Sequence, residues 1–145
     1  MEYEVETKII MAIAPPDLKI IETGGMKGRG KELIREELHL KLAKALQPQS
    51  IHSEYGMTEL CSQAYSIGSH FQFPVWARAI IRDVNDPLTL LDNGKTGGLN
   101  IIDLVNVYSC PFIETQDLGR LSDTRKFEVL GRFDNSDIRG CNLLV

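Results

Sequence analysis

The chain has 145 residues, 43% apolar and 25% charged, with a formal net charge of −4. That is enough length for one ordinary core, and the composition excludes disordered and fibrous classes. The acidic balance argues against a general nucleic-acid partner, which needs a basic face to neutralise phosphates.

The N-terminus carries Glu2, Glu4 and Glu6 where a secretory signal needs basic residues. The apolar run Lys8 to Ala14 stops at Pro15-Pro16, far short of the ~20 residues that cross a bilayer. A cytoplasmic protein without a membrane span is expected. Leu18 to Glu22 is a short β-branched run closed by Gly24-Gly25 and predicts a buried strand. From Lys31 to Leu46 the period changes: Leu33, Ile34, Leu38, Leu42, Ala45 and Leu46 recur at helical spacing, and Pro48 ends the helix. Ser50 to Ser53 predicts a second strand and Glu54 to Met57 a loop. Thr58 then stands as the cap of a helix over Glu59 to Ile67.

Beyond Pro74, strand-like runs at Val75–Arg82, Gly98–Leu104 and Phe127–Arg132 alternate with turns such as Asp92-Asn93-Gly94 and Gly97-Gly98. The expected fold is therefore α/β: a partial layered α/β sheet over 1–74, then a small β-rich, barrel-like subdomain over 75–145. The histidines His39, His52 and His70 and the cysteines Cys61, Cys110 and Cys141 are widely spaced, so neither a disulfide framework nor a Cys/His metal site is expected. Cys61, on the predicted helix, and Cys110, before Pro111, read as core residues.

Four islands combine flexible backbone with polar groups: residues 22–28, Glu54-Tyr55-Gly56-Met57-Thr58-Glu59, Thr115-Gln116-Asp117, and Gly131-Arg132-Phe133-Asp134-Asn135. In the second, a tyrosine ring can stack on a purine and Gly56 lets backbone approach a ligand. Thr58 places a hydroxyl beside a helix N-terminus, which favours phosphate, and Glu59 offers oxygen to Mg²⁺. The plainer reading is a helix cap with a packed tyrosine. For Asp117 and Asp134 it is an ordinary turn carboxylate.

Tyr55-Gly56-Met57-Thr58-Glu59 resembles the Tyr-Gly-x-Thr-Glu signature of the adenylate-forming superfamily of acyl-CoA synthetases and phenylacetate-CoA ligases. Downstream and in the same order, Thr115-Gln116-Asp117 resembles its Thr-Gly-Asp element, and Gly131-Arg132-Phe133-Asp134 its Gly-Arg-x-Asp hinge. Residues 22–28, Arg35-Glu36-Glu37-Leu38 and the ending 138–144 are similar, more narrowly, to the acyl-protein synthetases, which supply fatty acid in bacterial bioluminescence. The resemblance implies that Gly24 and Gly25 line the adenine side and Tyr55 stacks on the base. It gives Thr58 the α-phosphate, Glu59 the metal and Asp117 the ribose hydroxyls. Arg132 is placed near ribose or phosphate, and Asp134 at the hinge. Cys141 resembles the cysteine that carries the acyl group, a role that needs a thiolate; its alternative is a small packed residue.

The implied activity joins a carboxylic acid, such as a fatty acid, to AMP from ATP with Mg²⁺, then passes the acyl group to a thiol. That thiol is Cys141 or belongs to a partner protein. The superfamily's Ser/Thr/Gly-rich phosphate loop and its large C-terminal domain have no counterpart in these residues, and Gln116 stands where glycine is usual. The expectation is thus a C-terminal part lacking its N-terminal half and inactive alone, since half a site cannot position the phosphates. The reading from another class is a non-catalytic module that keeps the fold, binds a nucleotide or a protein, and pairs through an exposed face as a homodimer.

Overall fold

The computed structural model describes residues 15–23 and 35–133. The chain divides into two compact units, one of residues 1–53 with 138–145, the other of residues 54–137. The boundary expected near Pro74 falls inside the second unit.

In the first unit, strand β1 (Lys19–Thr23) is followed by helix α1 (Arg35–Leu46) and by the start of β2 (Ser50–Tyr55). The beginning of the predicted helix, residues 31–34, lies outside the described residues. Glu36 and Glu37 in the first turn and Lys44 in the last oppose the ends of the helix dipole. Leu38, Leu42 and Leu46 are only half-buried, and no helix residue is fully buried. Gln47 takes a left-handed backbone (φ 44°) and ends the helix just ahead of Pro48. His39 links helix to strands, with Nε2 3.1 Å from Ser53 Oγ and 3.7 Å from Glu22 Oε1.

In the second unit the last residues of β2 pair with β3 (Ala64–Ile67), and β3 with β4 (His70–Gln72). Strands β5 (Ala77–Arg82), β6 (Thr96–Asp103), β7 (Phe112–Leu121) and β8 (Lys126–Arg132) form a meander whose last strand returns to β4. Every one of these ladders is antiparallel, and the order β2-β3-β4-β8-β7-β6-β5 is linear. The fold is α/β passing into a β-rich part, as expected, but that part is an open sheet and not a closed barrel. Among the described residues no helix is long and apolar enough to cross a membrane.

The helix expected over Glu59–Ile67 is absent. Leu60, Ser62, Ala64 and Ser66 are buried while Cys61, Gln63 and Tyr65 are exposed, a period of two that suits a strand and not a helix. A single turn closes first, with Leu60 N donating to Met57 O at 3.1 Å. The next amides go to a side chain: Cys61 N and Ser62 N both donate to Asp103 Oδ2, at 2.9 and 2.8 Å. With those donors spent, no helical ladder forms, and Thr58 belongs to a turn instead of heading a helix.

Four rings centre the core. Phe127 stacks on Phe73 (centroids 5.3 Å, planes 15° apart) and meets Phe71 at 5.7 Å and the edge of Tyr55 at 5.6 Å. Such pairs add about 0.5–1.5 kcal/mol each beyond simple burial. Ala79, Ile81, Leu99 and Ile101 extend the core along β5 and β6.

Candidate functional site

The Thr115-Gln116-Asp117 island is a bulge in a strand, where the sequence suggested a turn. Between the pairs Gly98–Leu118 and Asn100–Glu114, β6 contributes Leu99 alone while β7 contributes Thr115, Gln116 and Asp117. Bulges of this kind break the ladder and re-aim side chains. The Leu99 carbonyl accepts from Thr115 Oγ1 (2.8 Å), and Thr115 Oγ1 in turn accepts from Asp117 N (3.1 Å). Gln116 does not have a positive φ, so this geometry does not require the glycine usual there.

The bulge aims Asp117 at the other islands. Tyr55 Oη donates to Asp117 Oδ2 at 2.7 Å, and Arg132 Nε lies 3.5 Å from Asp117 Oδ1. Arg132 stands directly across the ladder from Asp117, and Gly131, at φ 146°, pairs with Leu118. That backbone favours glycine. Phe133 N donates to Gln116 O at 3.0 Å and extends the pairing. The Asp117 side chain keeps 18% of its surface. A carboxylate has about four lone-pair positions, and the two contacts leave room for a pair of hydroxyls.

Tyr55 closes β2 and does not sit in a loop. Its ring is packed among Phe71, Phe73 and Phe127 with 9% exposed, so in this structure the hydroxyl, and not the ring face, meets the site. Burial first, and the Asp117 charge second, push this hydroxyl far above the ordinary tyrosine pKa. It remains a donor at any physiological pH.

Thr58 and Glu59 occupy the exposed turn after Gly56. A Cβ on Gly56 would meet Gln63 Cγ at 3.2 Å, so its close neighbour is a side chain of this chain. The turn is anchored from behind: the Glu59 carbonyl accepts from Asn106 Nδ2 (2.7 Å), leaving its exposed carboxylate toward solvent. Mg²⁺ is usually held by one or two carboxylates together with substrate phosphates, and a single exposed glutamate fits that use. Among the described residues no group of three His, Cys, Asp or Glu side chains could hold a metal by itself.

Three participants belong to none of the four islands. Asp103, fully buried, accepts from Cys61 N, Ser62 N, Ser62 Oγ and Val105 N. Half-exposed Trp76 donates from Nε1 to the same Ser62 Oγ at 3.0 Å. Arg82, a charged residue at a strand end, is 5% exposed. Cys61 and Cys110, expected in the core, are both exposed thiols; Cys61 Sγ donates to Asn106 Oδ1 and Cys110 Sγ to Phe112 O. Gly24, Gly25, Asp134 and Cys141 lie outside the described residues.

No family model matches this sequence, and no curated protein does. Solved structures do share the fold. Apo MatB from Rhodopseudomonas palustris superposes with a TM-score of 0.58 at 14% identity, over 79% of this chain and 25% of its own. O-succinylbenzoate coenzyme A synthetase (MenE) from Bacillus subtilis, in complex with AMP, gives 0.56 at 19% identity over 88% of this chain and 30% of its own. McyG A-PCP complexed with phenylalanyl-adenylate gives 0.55 at 19% identity, covering 91% and 29%. The chain thus spans between a quarter and a third of the length of these structures, which carry bound AMP or an acyl-adenylate in two of the three cases.

Proposed function

We propose that this chain forms the adenosine side of an acyl-adenylate site, as the C-terminal part of an ATP-dependent enzyme that activates a carboxylic acid. One observation carries the reading: Tyr55 and Arg132, from islands far apart in sequence, converge on the partly exposed carboxylate of Asp117, which belongs to a third. Shared fold with an AMP complex and an adenylate complex supports the same ligand. In this reading Asp117 accepts from the ribose hydroxyls and Arg132 lies beside ribose or phosphate. A carboxylate suits a diol, and guanidinium suits phosphate.

Thr58 would meet the α-phosphate through its hydroxyl alone, without help from a helix dipole. Glu59 would hold Mg²⁺, which neutralises phosphate charge when bound. Gly24 and Gly25 would border the adenine, Tyr55 would act through its hydroxyl on Asp117, and Asp134 would serve as the hinge. The narrower assignment is an acyl-protein synthetase working in the cytoplasm on a fatty acid, with Cys141 or a partner protein accepting the acyl group. These 145 residues hold no Ser/Thr/Gly-rich phosphate loop, so by themselves they are expected to be inactive.

Calorimetric titration with a non-hydrolysable acyl-adenylate analogue tests the core of this. Saturable binding that Asp117→Ala weakens by about 10–100-fold, the worth of hydrogen bonds to a charged group, supports it. A folded chain with no binding sinks it.

A second reading has its own observation. Leu104, Val105, Val107, Tyr108 and Phe112 are all large, apolar and more than half exposed. Such a cluster can pair with a second copy. Sedimentation that rises with concentration, and is abolished by Tyr108→Asp, would favour a self-associating module.

A further inference from the structure

Arg82 breaks the alternation of its own strand. In β5, Arg78 points out and Ala79 and Ile81 point in, yet Arg82 is buried directly after Ile81. Its guanidinium meets four oxygens. Nη1 donates to Leu99 O (2.9 Å) and Asn100 Oδ1 (2.6 Å), and Nη2 donates to Thr115 O (2.7 Å). Nε pairs with Glu114 Oε1 at 3.1 Å, and the Phe133 ring covers the group at 5.5 Å. Each of these partners lies in or beside the β7 bulge: Leu99 opposite it, Thr115 within it, Glu114 before it, and Phe133 bonded to Gln116.

The route to these partners crosses Gly98, which stands opposite Arg82 in the β5–β6 ladder. A Cβ on Gly98 would lie 2.4 Å from Arg82 Cζ, inside any allowed contact. Residue 98 is therefore glycine for the guanidinium's sake, an observation independent of the hydrogen bonds.

We infer that Arg82 is the positioning residue of the nucleotide site: its planar fork holds the bulge that presents Asp117 to Tyr55 and Arg132. The inference rests on the proposed adenylate site for its use, but its physical content does not require a ligand. A rigid fork binding two carbonyls and a carboxylate at once is a task for arginine, and lysine, a flexible point charge, does not replace it. With the fork gone, the Leu99 and Thr115 carbonyls lose charged donors and the Thr115–Asp117 bond loses its support.

The test is nuclear magnetic resonance of the whole chain, without ligand, for wild type, Arg82→Lys, Arg82→Met and Gly98→Ala. Gly98→Ala leaves Arg82 in place chemically but displaces its guanidinium. All three variants are expected to shift the Thr115 and Asp117 amides in the same direction, with the Cys61 and Ser62 amides on Asp103 unmoved. Shifts spread equally over both sets would mean a general stabilising role and overturn the inference, as would folded variants with 115–117 unchanged. If the variants do not fold, wild type still decides: the Arg82 guanidinium protons must be slow to exchange and show couplings to the Thr115 and Leu99 carbonyls. Fast-exchanging protons overturn the proposal. Where wild type binds the adenylate analogue, Gly98→Ala is expected to weaken it roughly tenfold, one charged hydrogen bond's worth. Absence of wild-type binding would remove the adenylate reading while the amide shifts still judge Arg82.

Discussion

Asp103 and Asp117 are the same side chain put to opposite ends. Asp103 is fully buried and accepts four hydrogen bonds from its own chain, two of them from the amides that follow the Thr58–Glu59 turn. Asp117 has two partners and keeps part of its surface. A carboxylate saturated by its own fold is a structural cap, whereas one held in place but only half-occupied is available to a ligand. What distinguishes them is the number of donors around each.

That contrast breaks most sharply at Asp103. Asp103→Ala leaves four donors facing nothing, and at about 1–3 kcal/mol per unsatisfied group the loss is expected to reach on the order of 4 kcal/mol. Urea unfolding should show the midpoint collapse, and a change below about 1 kcal/mol would show the network to be dispensable. Asp117→Ala should cost only about 1 kcal/mol of stability while removing most affinity for the adenylate analogue. A reversal of the two effects would exchange their roles.

Tyr55→Phe comes next, at about 1 kcal/mol, because one buried hydrogen bond is lost and packing is kept. Its pH dependence is more telling. The folded hydroxyl has its pKa raised above the unfolded value of 10.0, so it stabilises fully below that pH. The contribution is lost as pH climbs beyond it. Urea midpoints measured from pH 8 to 11 should therefore fall more steeply in wild type than in Tyr55→Phe; parallel curves would contradict the assignment. The smallest effect belongs to Glu59→Gln, whose exposed side chain should change stability by less than about 0.5 kcal/mol. Any role it has must appear in the magnesium dependence of binding.

The sequence made much of this visible, unevenly. Strands β1, β5, β6 and β8 and helix α1 stand out because apolar spacing and flanking Gly or Pro residues agree there. Strand β7 does not, since Glu114-Thr115-Gln116-Asp117 is polar throughout and the strand is held by its neighbours. The false helix over 59–67 arose because Ser62 and Ser66 count as polar in any pattern, yet both are buried and bonded. Asp117 was found by motif, but not its setting in a bulge. Arg82 was hidden for a further reason: a charge at a strand end ordinarily faces water. The one clue is Gly97-Gly98, which reads as a turn and instead lies within β6, where Gly98 leaves space for the guanidinium.

Trp76 gives this architecture an optical consequence. It is the sole tryptophan of the chain, its indole N–H bonded to Ser62 Oγ and its backbone carbonyl taken by Leu104 N. The residue as a whole is about half exposed. Its emission wavelength and its quenching by iodide therefore report directly on the segment behind Thr58 and Glu59, with no label attached. Whatever closes over that turn, whether nucleotide, metal or another protein, should announce itself as a change in the chain's own fluorescence.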